Sequence, residues 1–224
     1  MANLALFDLD MTMLNVDSDH SWGQFIVHKG LVDASVYADA NDKFYQDYIN
    51  GTLDAVAYNE FVAAFLTTKT MTELHAYRQE YLDTWIVPNM RPKATARINA
   101  HKDAGDTVVV ISATNDFVVK PIAHLFGVDD LHTIATELEI IDNHYTGSVR
   151  GRPNFKDGKL YHLNRFIHDC MNDGKIFERL IAYSDSKNDL PLLNFADEAV
   201  CINPDEILKE QAVKNGWRIE DWSI

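Results

Sequence analysis

The chain has 224 residues, 34 of them acidic against 20 basic, for a formal net charge of −14 at pH 7, a surplus that argues against nucleic acid or anionic membrane as partners. Hydrophobic residues make up 46% and charged residues 24%, the balance of a globular protein, which excludes disorder as the main state. No run approaches the roughly 20 apolar residues of a membrane span, and MANLALFDLDMT reaches a carboxylate too early for a secretory signal, so the expected location is cytoplasmic.

In chain order, residues 4–9 read LALFDL, too short for a helix and continuous enough for a strand buried on both faces of a parallel sheet. From 16 to 88 there are no strand runs. Four helix-length patterns follow one another instead, broken at residues 30–33, 50–52 and 67–71. They read as a helical domain inserted into an α/β domain made of 1–15 and 89–224. Its aromatic residues Tyr37, Phe44, Tyr45, Tyr48, Tyr58, Phe61, Phe65, Tyr77, Tyr81 and Trp85 fall largely at helical spacings and are expected to pack against one another rather than to cage a ligand.

After the helical pattern ATARINAHKDAG comes TVVVI at 107–111, a second buried strand. A helix over 115–126 ends at Gly127, and residues 134–154 look like a small antiparallel excursion around Asn143 and Gly147. A helix over 157–172, strands at 180–183 and 199–202, and a helix over 205–215 closed by Gly216 complete the chain. This alternation predicts an α/β fold with a doubly wound parallel sheet. Cys170 and Cys201 are expected as buried, reduced thiols. The nine histidines show neither HExxH nor paired-cysteine spacing, so no structural zinc is expected.

Ligands of open α/β sheets sit beyond the carboxyl ends of the strands. Asp8 and Asp10 follow the first strand, Ser112 and Thr114 the second, and Asp185, Ser186 and Asp189 the third. On an extended backbone Asp8 and Asp10 point to one side, where two like charges repel. A hard divalent cation such as Mg2+ relieves that repulsion, and Asp185 is a natural third ligand. Ser112 and Thr114 precede a helix, where a phosphate oxygen or a plain helix cap would suit them equally. Lys159 lies in the first turns of a helix, where the helix dipole disfavours a cation, which points to an anionic neighbour. Lys156 is the competing choice.

Phe7-Asp8-Leu9-Asp10-Met11-Thr12, Ile111-Ser112-Ala113-Thr114, Gly158-Lys159 and Ser184-Asp185-Ser186-Lys187-Asn188-Asp189 resemble, in order and in strand context, the four motifs of the haloacid dehalogenase superfamily, over essentially the whole chain. The helical insertion is similar to the cap of the phosphoserine phosphatase-like branch. The strings DSDHSWGQF, SATNDFV and YSDSKNDLPLL look most like bacterial histidinol-phosphate phosphatases.

The resemblance implies a Rossmann-like core and an inserted cap. It further implies that Asp8 attacks phosphorus to give an aspartyl phosphate, and that Asp10 serves as general acid and base. Mg2+ would be held by Asp8, Asp185 and the Asp10 backbone, with Asp189 holding metal-bound water or orienting Lys159. Lys159, Ser112, Thr114 and Asn188 would face the phosphate. The implied substrate is a small phosphorylated amine, L-histidinol phosphate ahead of phosphoserine, because no arginine of the insertion is placed to receive a carboxylate; Arg78 and Lys69 are the weak candidates. Asp17, nine positions beyond Asp8, is the implied reader of the amine, with Asp19, His20 and Trp22 extending its surface. A non-catalytic sensor of phosphorylated metabolites is the alternative from another class. No protein partner is inferred.

Overall fold

A computed structural model describes residues 2–224. β1 (Leu4–Phe7) is followed by four helices, α1 (Ser18–His28), α2 (Ala34–Asn50), α3 (Ala55–Leu66) and α4 (Met71–Tyr81), before α5 (Pro92–Asp103) leads into β2 (Thr107–Asn115). Then come α6 (Asp116–Leu125), β3 (Thr133–Thr136), the hairpin of β4 (Leu138–Ile141) and β5 (His144–Val149), and α7 (Asp157–Asn172). The chain closes with β6 (Leu180–Ser184), α8 (Leu190–Phe195), β7 (Glu198–Ile202), α9 (Glu206–Asn215) and β8 (Arg218–Glu220). Six strands form one parallel sheet in the order β3-β2-β1-β6-β7-β8, and β4 pairs antiparallel with β5 apart from it.

β1 is central, and all four of its side chains are buried. Ala5 and Phe7 face a core shared with α1, α3, α4 and α6, whereas Leu4 and Leu6 face a second core with Leu163, Leu192, Leu193 and Leu208. Covering on both faces is why this strand reads as an unbroken apolar run rather than an alternating one. Phe7 lies opposite Val110 on one side and Tyr183 on the other. That register brings the residues following β1, the end of β2 and the end of β6 to one edge.

The helices between β1 and β2 carry strong local signals. Asp17, Asp33 and Asp54 accept from the first backbone amides of α1, α2 and α3, and Thr70 with Glu73 forms a reciprocal cap on α4. Gly51 ends α2 at φ 76°, a conformation that disfavours any side chain. The two stretches joining these helices to the sheet run side by side: Leu14 bridges Met90, Asn15 N donates to Asn89 O at 2.8 Å, and Arg91 N donates to Met13 O at 3.0 Å. The buried Arg91 guanidinium clamps both, donating to Leu14 O at 3.0 Å, Asn15 Oδ1 at 3.2 Å and Asn203 Oδ1.

Three features differ from the sequence reading. β2 runs on to Asn115 because its polar residues 112–114 continue the extended backbone across a register shift against β3. β3 and β8 are short edge strands of four and three residues, too brief for a periodicity signal. Cys201 is buried on β7, but Cys170 is half-buried near the end of α7. No helix among the described residues is long and apolar enough to cross a membrane.

Arg91→Ala removes a buried cation and leaves its acceptors without donors, and is expected to lower the unfolding free energy by about 2–4 kcal/mol in urea titrations. Arg91→Lys, which lacks the planar fork, is expected to restore less than half of that loss.

Candidate active site

Asp8 leaves the end of β1 into a largely buried charge network. Its Oδ1 accepts from Lys159 Nζ at 2.7 Å, and its Oδ2 accepts from Thr12 Oγ1 at 3.2 Å. Thr12 Oγ1 also lies 3.1 Å from Asp185 Oδ1, so one hydroxyl spans the carboxylates at the ends of β1 and β6. Lys159 Nζ lies 2.8 Å from Asp189, whose Oδ2 accepts from Ser184 Oγ at 2.7 Å. Lys159 is therefore held between two acids, the neighbours that its place at the start of α7 called for. The close packing of Gly158 fixes that start: a Cβ there would lie 2.1 Å from Pro153 O.

Burial alone would lower the Lys159 pKa, but Asp189 and Asp8 outweigh it and hold the ammonium above its usual value. Burial raises Asp8 to about 7; Lys159 opposes the rise, and Asp189 and Asp10 add to it. Asp185 is likewise raised by burial, then by Asp8 and Asp189. Among the described residues no three His, Cys, Asp or Glu side chains converge as a ready-made metal cage. The donor set nonetheless suits a hard cation. Asp8 is a buried carboxylate and Asp185 a half-buried one, joined through Thr12, and one lysine leaves their mutual repulsion only partly offset.

Asp10 turns the other way. Its Oδ1 accepts from Ser18 N at 2.7 Å, at the start of α1, and its Oδ2 accepts from Thr114 Oγ1 at 2.9 Å and Ser112 Oγ at 3.2 Å. Both hydroxyls that were candidates for phosphate thus donate to Asp10 in this structure. Asn188 is buried and donates through Nδ2 to Tyr48 O at 3.3 Å, at the seam between α2 and the loop after β6.

A narrow cavity of about 30 Å3 opens beside Asp8 and Asp10. Asp17 and Asp19 line it from the start of α1, Phe44, Tyr45 and Tyr48 from α2, and Tyr58 and Asn59 from α3, with Thr114 and Phe155 from the sheet side. A larger hollow of about 350 Å3, sharing Asp10, Asp17, Tyr45 and Tyr48, continues past Asp185, Lys187 and Asn188. No lysine or arginine is among the residues lining the inner cavity. Arg78 is elsewhere, donating to Phe117 O at 2.9 Å and lying 4.7 Å over the Phe117 ring.

The residues expected to extend a substrate surface are divided. Asp17 caps α1, accepting from Asp19 N at 3.0 Å and His20 N at 2.8 Å, and burial followed by the Asp10 charge raises it to about 7. Burial, then Asp17 and Asp10, also raise Asp19, against the opposing influence of Asn115 and of the Tyr58 hydroxyl. Two expectations are corrected. Trp22 is 0% exposed, packed among Phe25, Phe65, Tyr81 and Phe117, because it lies on the core face of the amphipathic α1. His20 does not line the cavity: its ring stacks on Tyr45 at 4.3 Å and meets Asp42 at 2.8 Å, so it backs a cavity residue from outside.

The aromatic residues of the insertion also serve two purposes. Tyr37 stacks on Phe61 at 4.4 Å, and Phe65 and Tyr81 surround Trp22, as packing requires. Phe44, Tyr45, Tyr48 and Tyr58 instead line the cavity, correcting the reading of the whole stripe as packing. Helical spacing identifies a face and does not say whether a protein core or a ligand covers it. Asn59 also went unread. The only signal for it is a buried polar residue amid the apolar AVAYNEFVAAF of α3.

A family model of the haloacid dehalogenase-like hydrolases matches residues 5–194. The chain is 42% identical to a histidinol-phosphatase of Neisseria meningitidis over 220 residues, 98% of each protein. It is 29% identical to a phosphoserine phosphatase of Mycobacterium tuberculosis, covering 98% of this chain and 71% of that one. A Bordetella pertussis protein of unknown function superposes with a TM-score of 0.91 at 35% identity over the whole of both chains. A substrate-bound phosphoserine phosphatase superposes at 0.71 and 22% identity, covering 100% of this chain and 95% of the other, a likeness of fold. By the family match across most of its length and the identity to full-length relatives, this chain belongs to the haloacid dehalogenase-like hydrolases.

Proposed function

We propose that the chain is a Mg2+-dependent phosphomonoesterase acting on a small phosphorylated amine, with L-histidinol phosphate as the foremost substrate. The observation that carries this reading is a cavity walled by carboxylates and aromatic rings, without a lysine or arginine, that opens onto the buried Asp8 and Asp10. Such a lining favours a cationic, ring-bearing molecule, and the inner cavity gives a substrate carboxylate no counter-charge, Lys187 lining only the adjoining hollow, which disfavours phosphoserine. The 42% identity to the Neisseria histidinol-phosphatase supports the same choice.

In the proposed reaction an Asp8 oxygen attacks phosphorus, the ester P–O bond breaks, and Asp10 gives its proton to the departing alcohol. Asp10 then takes a proton from a water that attacks the aspartyl phosphate, releasing inorganic phosphate and restoring Asp8. The Lys159 ammonium faces the phosphoryl oxygens, and Asp189 keeps it aimed and charged. Ser112 and Thr114 orient the Asp10 carboxyl, and Asn188 stands at the phosphate end of the cavity mouth. The Asp8 and Asp185 side chains with the Asp10 carbonyl would hold Mg2+, which when bound supplies positive charge against the phosphoryl oxygens. Residues 16–88 act as a cap that closes over 1–15 and 89–224 and excludes water. Asp17 receives the substrate ammonium.

Phosphate release from L-histidinol phosphate, phosphoserine and a panel of sugar phosphates tests the reading: histidinol phosphate is expected to lead, and equal slow rates on all would overturn it. Asp8→Asn is expected to lower turnover by at least about 10³-fold while keeping the wild-type circular dichroism spectrum. Mg2+ is expected to raise the melting temperature of the wild-type protein and to leave that of Asp185→Asn unmoved. Because burial raises Asp17 to about 7, kcat/KM for an amine substrate is expected to fall as pH drops through that value. The ratio of wild type to Asp17→Asn, which keeps the helix cap, isolates this effect from ionisation of the phosphate itself.

A further inference from the structure

The phosphoryl chemistry accounts for Asp8 and Asp10 and the amine for Asp17, but two buried acceptors in the same cavity are left without donors. They are Oδ2 of Asp19, in a residue 3% exposed whose carboxyl the Tyr58 hydroxyl approaches without closing a full hydrogen bond, and Oδ1 of Asn59, in a residue 2% exposed. Both residues line the cavity. Asn115 Nδ2 holds the other oxygen of Asp19 at 3.1 Å. Asn59 Nδ2 donates to Ala55 O at 2.8 Å, and since a carbonyl only accepts, the amide cannot be reversed and Oδ1 is the atom left over. Buried acceptors without donors are uncommon and costly, so two in one cavity mark a place where an occupant brings N–H or O–H groups.

The walls narrow the choice. Carboxylates run from Asp8 through Asp10 and Asp17 to Asp19, each acting on the next. Phe44, Tyr45 and Tyr58 line the same cavity as Asp19 and Asn59. An aliphatic ammonium could reach the acceptors but gives those rings no face to stack on. A protonated azole has both: a flat ring for the aromatic walls and two N–H groups in the ring plane, one for each acceptor.

We propose that Asp19 and Asn59 form a ring-reading subsite that takes the two N–H groups of an imidazolium, separate from the ammonium subsite at Asp17. The proposal rests on the phosphatase reading for its substrate and adds to it the residues that select the ring. Tyr58 covers one face of the ring, and Asn115 fixes Asp19 so that its free oxygen stays turned inward.

The test uses the full-length Asp8→Asn protein, which binds without turnover, titrated calorimetrically with L-histidinol phosphate and with its thienyl analogue, a five-membered ring of the same shape without N–H. Roughly 100-fold tighter binding of the imidazole compound is expected, the discrimination typical of sites that leave polar groups unpaired against the wrong ligand. Introducing Asn59→Leu or Asp19→Asn is expected to shrink that ratio to within about threefold. Equal binding of the two compounds, as when ordered water alone fills the acceptors, would overturn the proposal, as would a ratio that survives both substitutions. The comparison in Asp8→Asn needs neither variant, so a variant that fails to fold leaves the test intact. Phosphate release by the wild-type protein is scored separately. Its absence would sink the phosphatase reading, whereas release from both compounds at equal rates would sink only the ring subsite.

Discussion

Among the described residues, Lys159 is the one buried ammonium facing a group of buried carboxylates, and the arrangement of the site follows from that imbalance. A carboxylate withdrawn from water is strongly disfavoured unless a cation or several donors accompany it. Lys159 serves Asp8 and Asp189 together, Thr12 serves Asp8 and Asp185, and backbone and hydroxyl donors serve Asp10. Asp17 and Asp19 are partly served by amides and remain raised by burial. The site is thus built short of positive charge, in keeping with a bound divalent cation at one end and a cationic metabolite at the other.

Asp10 is the joint between the two halves. One oxygen of its carboxylate accepts from the first turn of α1, and the other accepts from two hydroxyls on β2. The paired stretches around Leu14 and Met90, clamped by Arg91, hold the origin of the inserted helices a few residues away. A shift of α1 on ligand binding would therefore reach the Asp10 carboxylate directly. The cavity and the phosphoryl site are coupled through one side chain rather than through a long path.

Much of this architecture was legible in the residues. The apolar run of β1, the breaks at 30–33, 50–52 and 67–71 that separate α1 to α4, the glycines after α6 and α9, and the hairpin around Asn143 are local signals, and the structure shows the elements they announce. The cation at the start of α7 told of acidic neighbours because a helix dipole opposes it there, and Asp8 and Asp189 are those neighbours. Trp22, His20 and, within the aromatic stripe, Phe44, Tyr45, Tyr48 and Tyr58 were misread, since a ring at helical spacing looks the same whether a core or a ligand covers it. Only the packing of α1 against Phe65, Tyr81 and Phe117 buries Trp22. Asn59 could not be ranked as a site residue from sequence, because its meaning lies in an acceptor without a donor, which is a property of three-dimensional neighbours.

The order of residue types along the chain by itself determined the elements, the parallel sheet, and the delivery of acidic and hydroxyl side chains to the strand ends, because strand periodicity, helix caps and the edge rule of parallel sheets act over short distances. Tertiary structure alone decided which oxygen each hydroxyl serves, which face of α2 and α3 meets the cavity, and which carboxylates stay short of donors. Those outcomes depend on how residues distant in sequence, such as Asp8 with Lys159 or Asp19 with Asn115, come within hydrogen-bonding distance, and no local pattern encodes that approach.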